Sequence, residues 1–221
     1  MKKLIIAIDG PSGAGKGTVA RTLSEHLGYR HVDTGAMYRA VAWKATQEGL
    51  PLDNEDAVAA LSRRADIVVE GGIVSIDGHD VSRTIRTPEM DKAAAAVARL
   101  PRVRETLVAR QRTLGEGGGV VMEGRDIGTV VFPQADVKIY LDASEEERAR
   151  RRLNDAAHTG GKAGQAAVAE SIAARDRSDK TRTASPLTLA ADAEYIDTTG
   201  MPIEQVVQTV LEAVQRKLLH P

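Results

Sequence analysis

The chain contains no cysteine, which excludes disulfides, thiolate zinc sites and a cysteine nucleophile. Its five histidines (His26, His31, His79, His158 and His220) are scattered and form no metal-ligand spacing. Nor is there an excess of positive charge. Lys and Arg number 30 against 31 Asp and Glu, so no global basic field exists to hold nucleic acid. Long hydrophobic runs are missing as well. "MKKLIIAI" offers two lysines and an apolar stretch, but Asp9 ends it too soon for an export segment or a membrane span. No internal repeat is found. What remains is a cytoplasmic, enzyme-like protein of 221 residues, one domain with room for an appended lobe.

The apolar patterning gives the fold class. "KKLIIAID" reads as a buried parallel strand bounded by a glycine-rich turn. "GKGTVARTLSEHLG" places Val19, Leu23 and Leu27 at helical spacing before a glycine stop. A short strand, a turn and an amphipathic helix follow in "GYRHVDTGAMYRAVAWKATQEG", with the single tryptophan, Trp43, read as core. From Ala65 to Met90 the pattern changes to β-branched runs separated by Gly-Gly and Asp-Gly turns, a small antiparallel insert. Helix then returns, broken at Pro101 and stopped by glycines. "GVVMEGRD", "DVKIYLDAS" and "AEYIDTT" supply further strands. Ser144 to Arg182 is helical and arginine-rich, with "HTGGKAGQ" as a loop, and "PIEQVVQTVLEAVQRKLL" is a closing core helix. Alternating strands and helices predict an α/β protein whose parallel sheet is flanked by helices.

Gly10-Pro11-Ser12-Gly13-Ala14-Gly15-Lys16 follows the first predicted strand and opens a predicted helix, the setting of a phosphate-binding loop. Glycines let amide N–H groups converge on an anion, and the helix N-terminus adds partial positive charge. Lys16 reaches the β- and γ-phosphates in such a loop, so a nucleoside triphosphate is the expected ligand. A glycine-rich turn with a coincidental lysine is the bland alternative. Gly17 stands where such loops usually carry the hydroxyl that holds magnesium, and Thr18 comes one place late. Mg2+ must then be held by Thr18, nucleotide oxygens or water, with Asp9 helping through water or simply ending the strand in solvent. No Asn-Lys-x-Asp segment is present, and "DTTG" at Asp197 to Gly200 matches a GTPase switch only by chance.

Gly-Lys-Gly-Thr resembles the nucleoside monophosphate kinases. Taken in order, "IDGPSGAGKGT", "DTGAMYRA", "PRVRETLVARQR", "GRDIGTVVFPQADVKIYLDAS", "RDRSDKTRTASPL" and "IDTT" resemble the bacterial cytidylate kinases along nearly the whole chain. The resemblance implies a single P-loop kinase domain that phosphorylates CMP and dCMP from ATP with Mg2+. It makes the 65–90 insert the monophosphate-side lobe and 144–182 a helical lid with its following helix. It also assigns Arg39, Arg125, Arg175 and Arg182 to the acceptor phosphate or the transferred group, where fixed guanidinium charge offsets phosphate repulsion. Thr34 and Tyr38 fall in the acceptor pocket, and Asp179 is likened to a sugar-contacting carboxylate. Asp126 accepts from the cytosine amine while Arg104 donates to the ring acceptors; a salt bridge from Asp126 to Arg125 is the alternative. Arg148, Arg151 and Arg152 share a helix face as lid arginines over the donor phosphates, with Arg150 a bystander. A charged surface helix balanced by Glu145 to Glu147 is the plainer reading. Relatives can carry a serine near the base where this chain has Ala94, Ala95 and Ala96, so rejection of UMP is expected to be weaker.

A kinase for UMP, AMP or another small acceptor, or a non-catalytic nucleotide-binding module, are the competing functions. The first lacks a reason for the Asp126 and Arg104 pair, and the second for so many arginines outside the loop. A monomer without nucleic-acid or membrane partners is expected.

Overall fold

The computed structural model describes residues 3–155 and 164–219. Its main sheet is fully parallel, with β1 (Ile5–Asp9) at the centre. On one side stand β6 (Val120–Gly124) and β2 (Arg30–Asp33), on the other β7 (Val137–Asp142) and β8 (Glu194–Asp197). Central parallel strands are covered on both faces, which is why β1, β6 and β7 are written as near-continuous apolar runs. The register pairs Asp9 with Gly124 and with Tyr140, so the loops that leave β1 and β6 start side by side.

Helix α1 (Lys16–Leu27) starts directly from the glycine loop, buries Val19 and Leu23, and ends at Gly28 in the left-handed region (φ 64°). It shares a core with β1, β7 and the C-terminal helix α8 (Ile203–Leu219), whose Val206, Val210 and Val214 face inward. The turn expected after β2 is compressed to a cap. Asp33 ends the strand and its carboxylate accepts from Ala36 N at 3.0 Å, opening α2 (Thr34–Gln47) at once. A helix that the sequence pattern left unassigned, α3 (Glu55–Arg64), is capped by Asn54 and carries acids first and arginines last.

The insert is a three-stranded antiparallel sheet of β3 (Ile67–Glu70), β4 (Ile73–Ile76) and β5 (His79–Asp80). Its two tight turns, Gly71-Gly72 and Asp77-Gly78, have positive φ at both residues, the requirement of a type I′ hairpin. Thr87 and Pro88 start α4 (Pro88–Val97), and Leu100 and Pro101 start α5 (Pro101–Gly115). One continuous apolar core joins α2, α3, the insert, α4 and α5, so the insert packs chiefly on helices, with β3 also beside the edge strand β2; half-buried Trp43 lies against that core. After β6 a short π-helical turn, Ile127–Val131, leads to β7. Helices α6 (Glu145–Leu153) and α7 (Gln165–Thr181) flank the loop read as "HTGGKAGQ"; its residues 158–163 lie outside the described residues.

Candidate active site

The C-terminal ends of β1, β2 and β6 open into one cavity of about 750 Å³, the position where α/β sheets bind ligands. Among the described residues, eleven Lys and Arg side chains and six Asp and Glu side chains line it. That local excess of five positive charges sits in a chain whose formal net charge is −1. Such a cavity is built for polyanions.

The loop residues Ser12 to Thr18 form one wall. Gly15 is left-handed (φ 90°) and no side chain caps α1, so the first amides of the helix stay open to a ligand. Gly10 admits no side chain, because a Cβ would lie 1.9 Å from Leu141 O. Lys16 is buried and its Nζ donates to Pro11 O at 2.7 Å. Burial first, and then the neighbouring Arg125 charge, bring its pKa down to about 7. Gly17 now has a physical reason. A Cβ there would approach Glu123 Oε1 to 3.2 Å, and that carboxylate is already held by His31 Nε2 at 3.0 Å. Thr18 is thus the first hydroxyl of α1 in the cavity wall.

Asp9 neither ends in solvent nor points a free carboxylate at the loop. It is buried, and its two oxygens accept from Ile127 N at 2.8 Å and Gly128 N at 2.7 Å. Burial pushes its pKa up to about 6 against the pull of those amides.

On the opposite wall Asp126 and Arg104 form a buried ion pair. Arg104 also donates to Ala98 O at 3.3 Å and lies 5.4 Å above the Tyr38 ring. Arg182 stands 3.8 Å from Asp126 and 3.7 Å from Asp179, and its Nε donates to Ser185 O at 2.7 Å. The salt bridge considered between Asp126 and Arg125 does not form. Arg125 Nε donates to Asp179 at 2.8 Å instead, because adjacent residues leaving a strand point opposite ways. Thr34 Oγ1 donates to Glu123 O at 2.8 Å at the floor of this wall. Ala94 and Ala95 face the cavity near Arg104, whereas Ala96 does not line it. Among the described residues, Arg39 Nε, Arg104 Nε and Arg182 Nη2 are buried without a hydrogen-bond partner, a set of unsatisfied donors. Burial and like charges lower the pKa of Arg175 and of Arg182, the direction that a bound anion would reverse.

Helix α6, read from the sequence as part of a lid, departs from expectation at Arg148. Arg148, Arg151 and Arg152 were expected on one face over the donor. Arg148 is instead buried beneath the loop, donating to Ala143 O at 2.9 Å and Ser12 O at 3.1 Å and pairing with Asp176. The cause is close packing: a Cβ on Gly13 would lie 2.9 Å from Arg148 Cβ, so this turn of α6 rests on the loop itself. Arg151 does reach the cavity, donating to Thr198 O at 2.6 Å and lying 3.4 Å from Ala14 O. Arg152, paired with Asp91 at 2.6 Å, and Arg150, paired with Glu147 at 2.7 Å, line the cavity as well. Two acids had gone unnoticed in the sequence. Asp176, inside "RDRSDK", also accepts from Ser12 N at 3.2 Å and so braces the loop. Asp91 carries no motif at all.

The family model described as cytidylate kinase matches residues 6–216. A cytidylate kinase of Pelotomaculum thermopropionicum is 52% identical over 95% of both chains. One from Bacillus subtilis is 48% identical over 98% of both. Among solved structures, a gluconokinase from Sinorhizobium meliloti aligns with a TM-score of 0.52 at 14% identity, covering 97% of this chain and 93% of its own, a likeness of fold alone.

Proposed function

The chain belongs to the cytidylate kinase family, whose reaction moves a phosphoryl group from ATP to CMP or dCMP, and from that premise we propose how its cavity divides the work. The donor triphosphate lies on Gly10 to Thr18, with Lys16 on its terminal phosphates and Arg151 closing over it from α6. The acceptor base lies against Asp126 and Arg104. Its phosphate lies among Arg39, Arg125, Arg175 and Arg182, with Thr34 and Tyr38 in the same wall and Asp179 turned to the sugar. The observation that carries this division is the buried Asp126–Arg104 pair facing a phosphate loop across one basic cavity.

Phosphoryl transfer asks little covalent work of a protein, so positioned charge does most of the catalysis. Two anionic nucleotides repel, and the arginines offset that repulsion without ever needing to titrate. The donor set fits Mg2+ carried on nucleotide oxygens. Gly17 offers no ligand, Thr18 offers a hydroxyl, and among the described residues no group of three or more His, Asp or Glu could hold a metal ion. When bound, Mg2+ would supply charge that neutralises the phosphoryl group in transfer, with the Thr18 hydroxyl the group of this loop that could hold it. Arg148 is a brace under the loop in this reading, not a lid residue.

The test is ADP release with ATP and Mg2+ against CMP, dCMP, UMP, AMP and no acceptor. Preference for CMP and dCMP supports the base-reading wall, equal use of UMP breaks that assignment, and acceptor-independent release breaks the division of the cavity. A related outcome concerns the alanine wall. Ala95→Ser adds a hydroxyl beside the base, and one net hydrogen bond contributes about 0.5–1.5 kcal/mol. The ratio of kcat/KM for CMP over UMP should therefore rise about 2–10-fold. An unchanged ratio would mean that the base does not touch this turn of α4.

A further inference from the structure

Asp91, on α4, belongs to none of the motifs, yet its carboxylate is the meeting point of three arginines from three other helices. Oδ1 lies 3.0 Å from Arg175 of α7 and 3.7 Å from Arg39 of α2, and Oδ2 lies 2.6 Å from Arg152 of α6. All four side chains are largely shielded, Asp91 being 13% exposed. Arg39 has a second acid, Asp33, at 2.8 Å.

We infer that Asp91 is a positioning residue that stands in for the acceptor phosphate: its carboxylate gathers Arg39, Arg152 and Arg175 in the unliganded enzyme and must release them when the phosphate arrives. The inference rests on the proposed division of the cavity, in which Arg39 and Arg175 serve the acceptor. Chemistry favours the exchange. A carboxylate offers two oxygens and one negative charge, whereas a phosphate monoester dianion offers three oxygens and two charges, each oxygen able to take a guanidinium fork. Asp91 therefore keeps the guanidinium groups close to their working positions and charges the incoming phosphate for their release. A ligand without a phosphate has nothing to displace.

That difference supplies the test. CMP affinity (KM, and Kd by calorimetry without donor) and the inhibition constant of cytidine are measured for the full-length wild type and for Asp91→Asn, Asp91→Ser and Asp91→Glu. Removing an internal competitor that occupies most of the empty population raises apparent affinity by the reciprocal of the free fraction. The Asn and Ser variants should bind CMP about 3–10-fold more tightly, and inorganic phosphate should inhibit them more strongly by a similar factor. Cytidine should bind all four proteins alike, kcat should fall as release of the phosphorylated product slows, and Glu should restore wild-type CMP affinity. The inference is overturned if CMP affinity is unchanged or weaker in both Asn and Ser variants, or if cytidine shifts along with CMP. Failure of the wild type to phosphorylate CMP would instead bring down the functional reading beneath it, so the two failures are told apart by the wild-type assay alone.

Discussion

Lys16→Ala should lower kcat about 10²–10³-fold, the loss seen when one preorganised charge-stabilising donor is removed from an active site. The protein should remain as stable as the wild type. Lys16 is buried and its charge is disfavoured there, so the unliganded fold gains little from it beyond one hydrogen bond to Pro11 O at 2.7 Å. Ligand changes that balance. A triphosphate places negative charge against the ammonium and raises its pKa from about 7. Between the two values the bound enzyme holds more protons than the free one, so binding takes up protons and weakens as pH rises through that window. Affinity for a non-hydrolysable ATP analogue should fall by up to about tenfold per pH unit above 7.5 in the wild type. Lys16→Ala should show only the nucleotide's own titration. Calorimetry at pH 8 in two buffers of different ionisation heat reads the proton count directly. Proton release by the wild type, or identical profiles for the two proteins, would remove Lys16 from the donor site.

Asp126→Asn should change both stability and base choice. Arg104 is buried, and its other contacts are a carbonyl at 3.3 Å and the Tyr38 ring. Removing the charge of one member of a buried pair typically costs about 3–5 kcal/mol; Asn keeps an oxygen acceptor, so the loss should fall near or below the lower end. Denaturant unfolding measures it. The carboxylate can only accept, which suits the cytosine amine and rejects the uracil carbonyl. The Asn amide can do either. The CMP over UMP ratio of kcat/KM should therefore collapse about 10–100-fold, equivalent to relieving one buried polar mismatch. A variant that is destabilised but still discriminates as the wild type does would leave Asp126 a structural partner of Arg104 and nothing more.

The main sheet was legible because buried parallel strands are written as apolar runs with glycine punctuation, and nothing else explains "LIIAI", "VVM" and "KIYL" so simply. The insert was legible through its paired Gly-Gly and Asp-Gly turns. Helix α3 was missed: it is short, and its start depends on one cap at Asn54. Within the cavity, residues in contiguous motifs came together, since a strand end or a helix start fixes them locally. Arg148 and Arg151 do turn to the same loop, at Ser12 and Ala14, but spacing places a Cβ and not a depth, and the Arg148 guanidinium runs beneath the loop to Asp176. Asp91 was invisible for a different reason. Its meaning comes wholly from three helices distant in sequence, and no local pattern records such a meeting.

The two amides that hold Asp9 belong to the residues immediately after Asp126, and Asp9 itself immediately precedes the loop. In the proposed division of the cavity, the donor cradle and the carboxylate assigned to the base are therefore two ends of one gauge, tied across adjacent strands by a single side chain. On that reading, a change of acceptor would be accommodated in the jaws at Ala94, Ala95 and the start of α5, where the cavity wall can be reshaped while the tie from loop to carboxylate is left untouched.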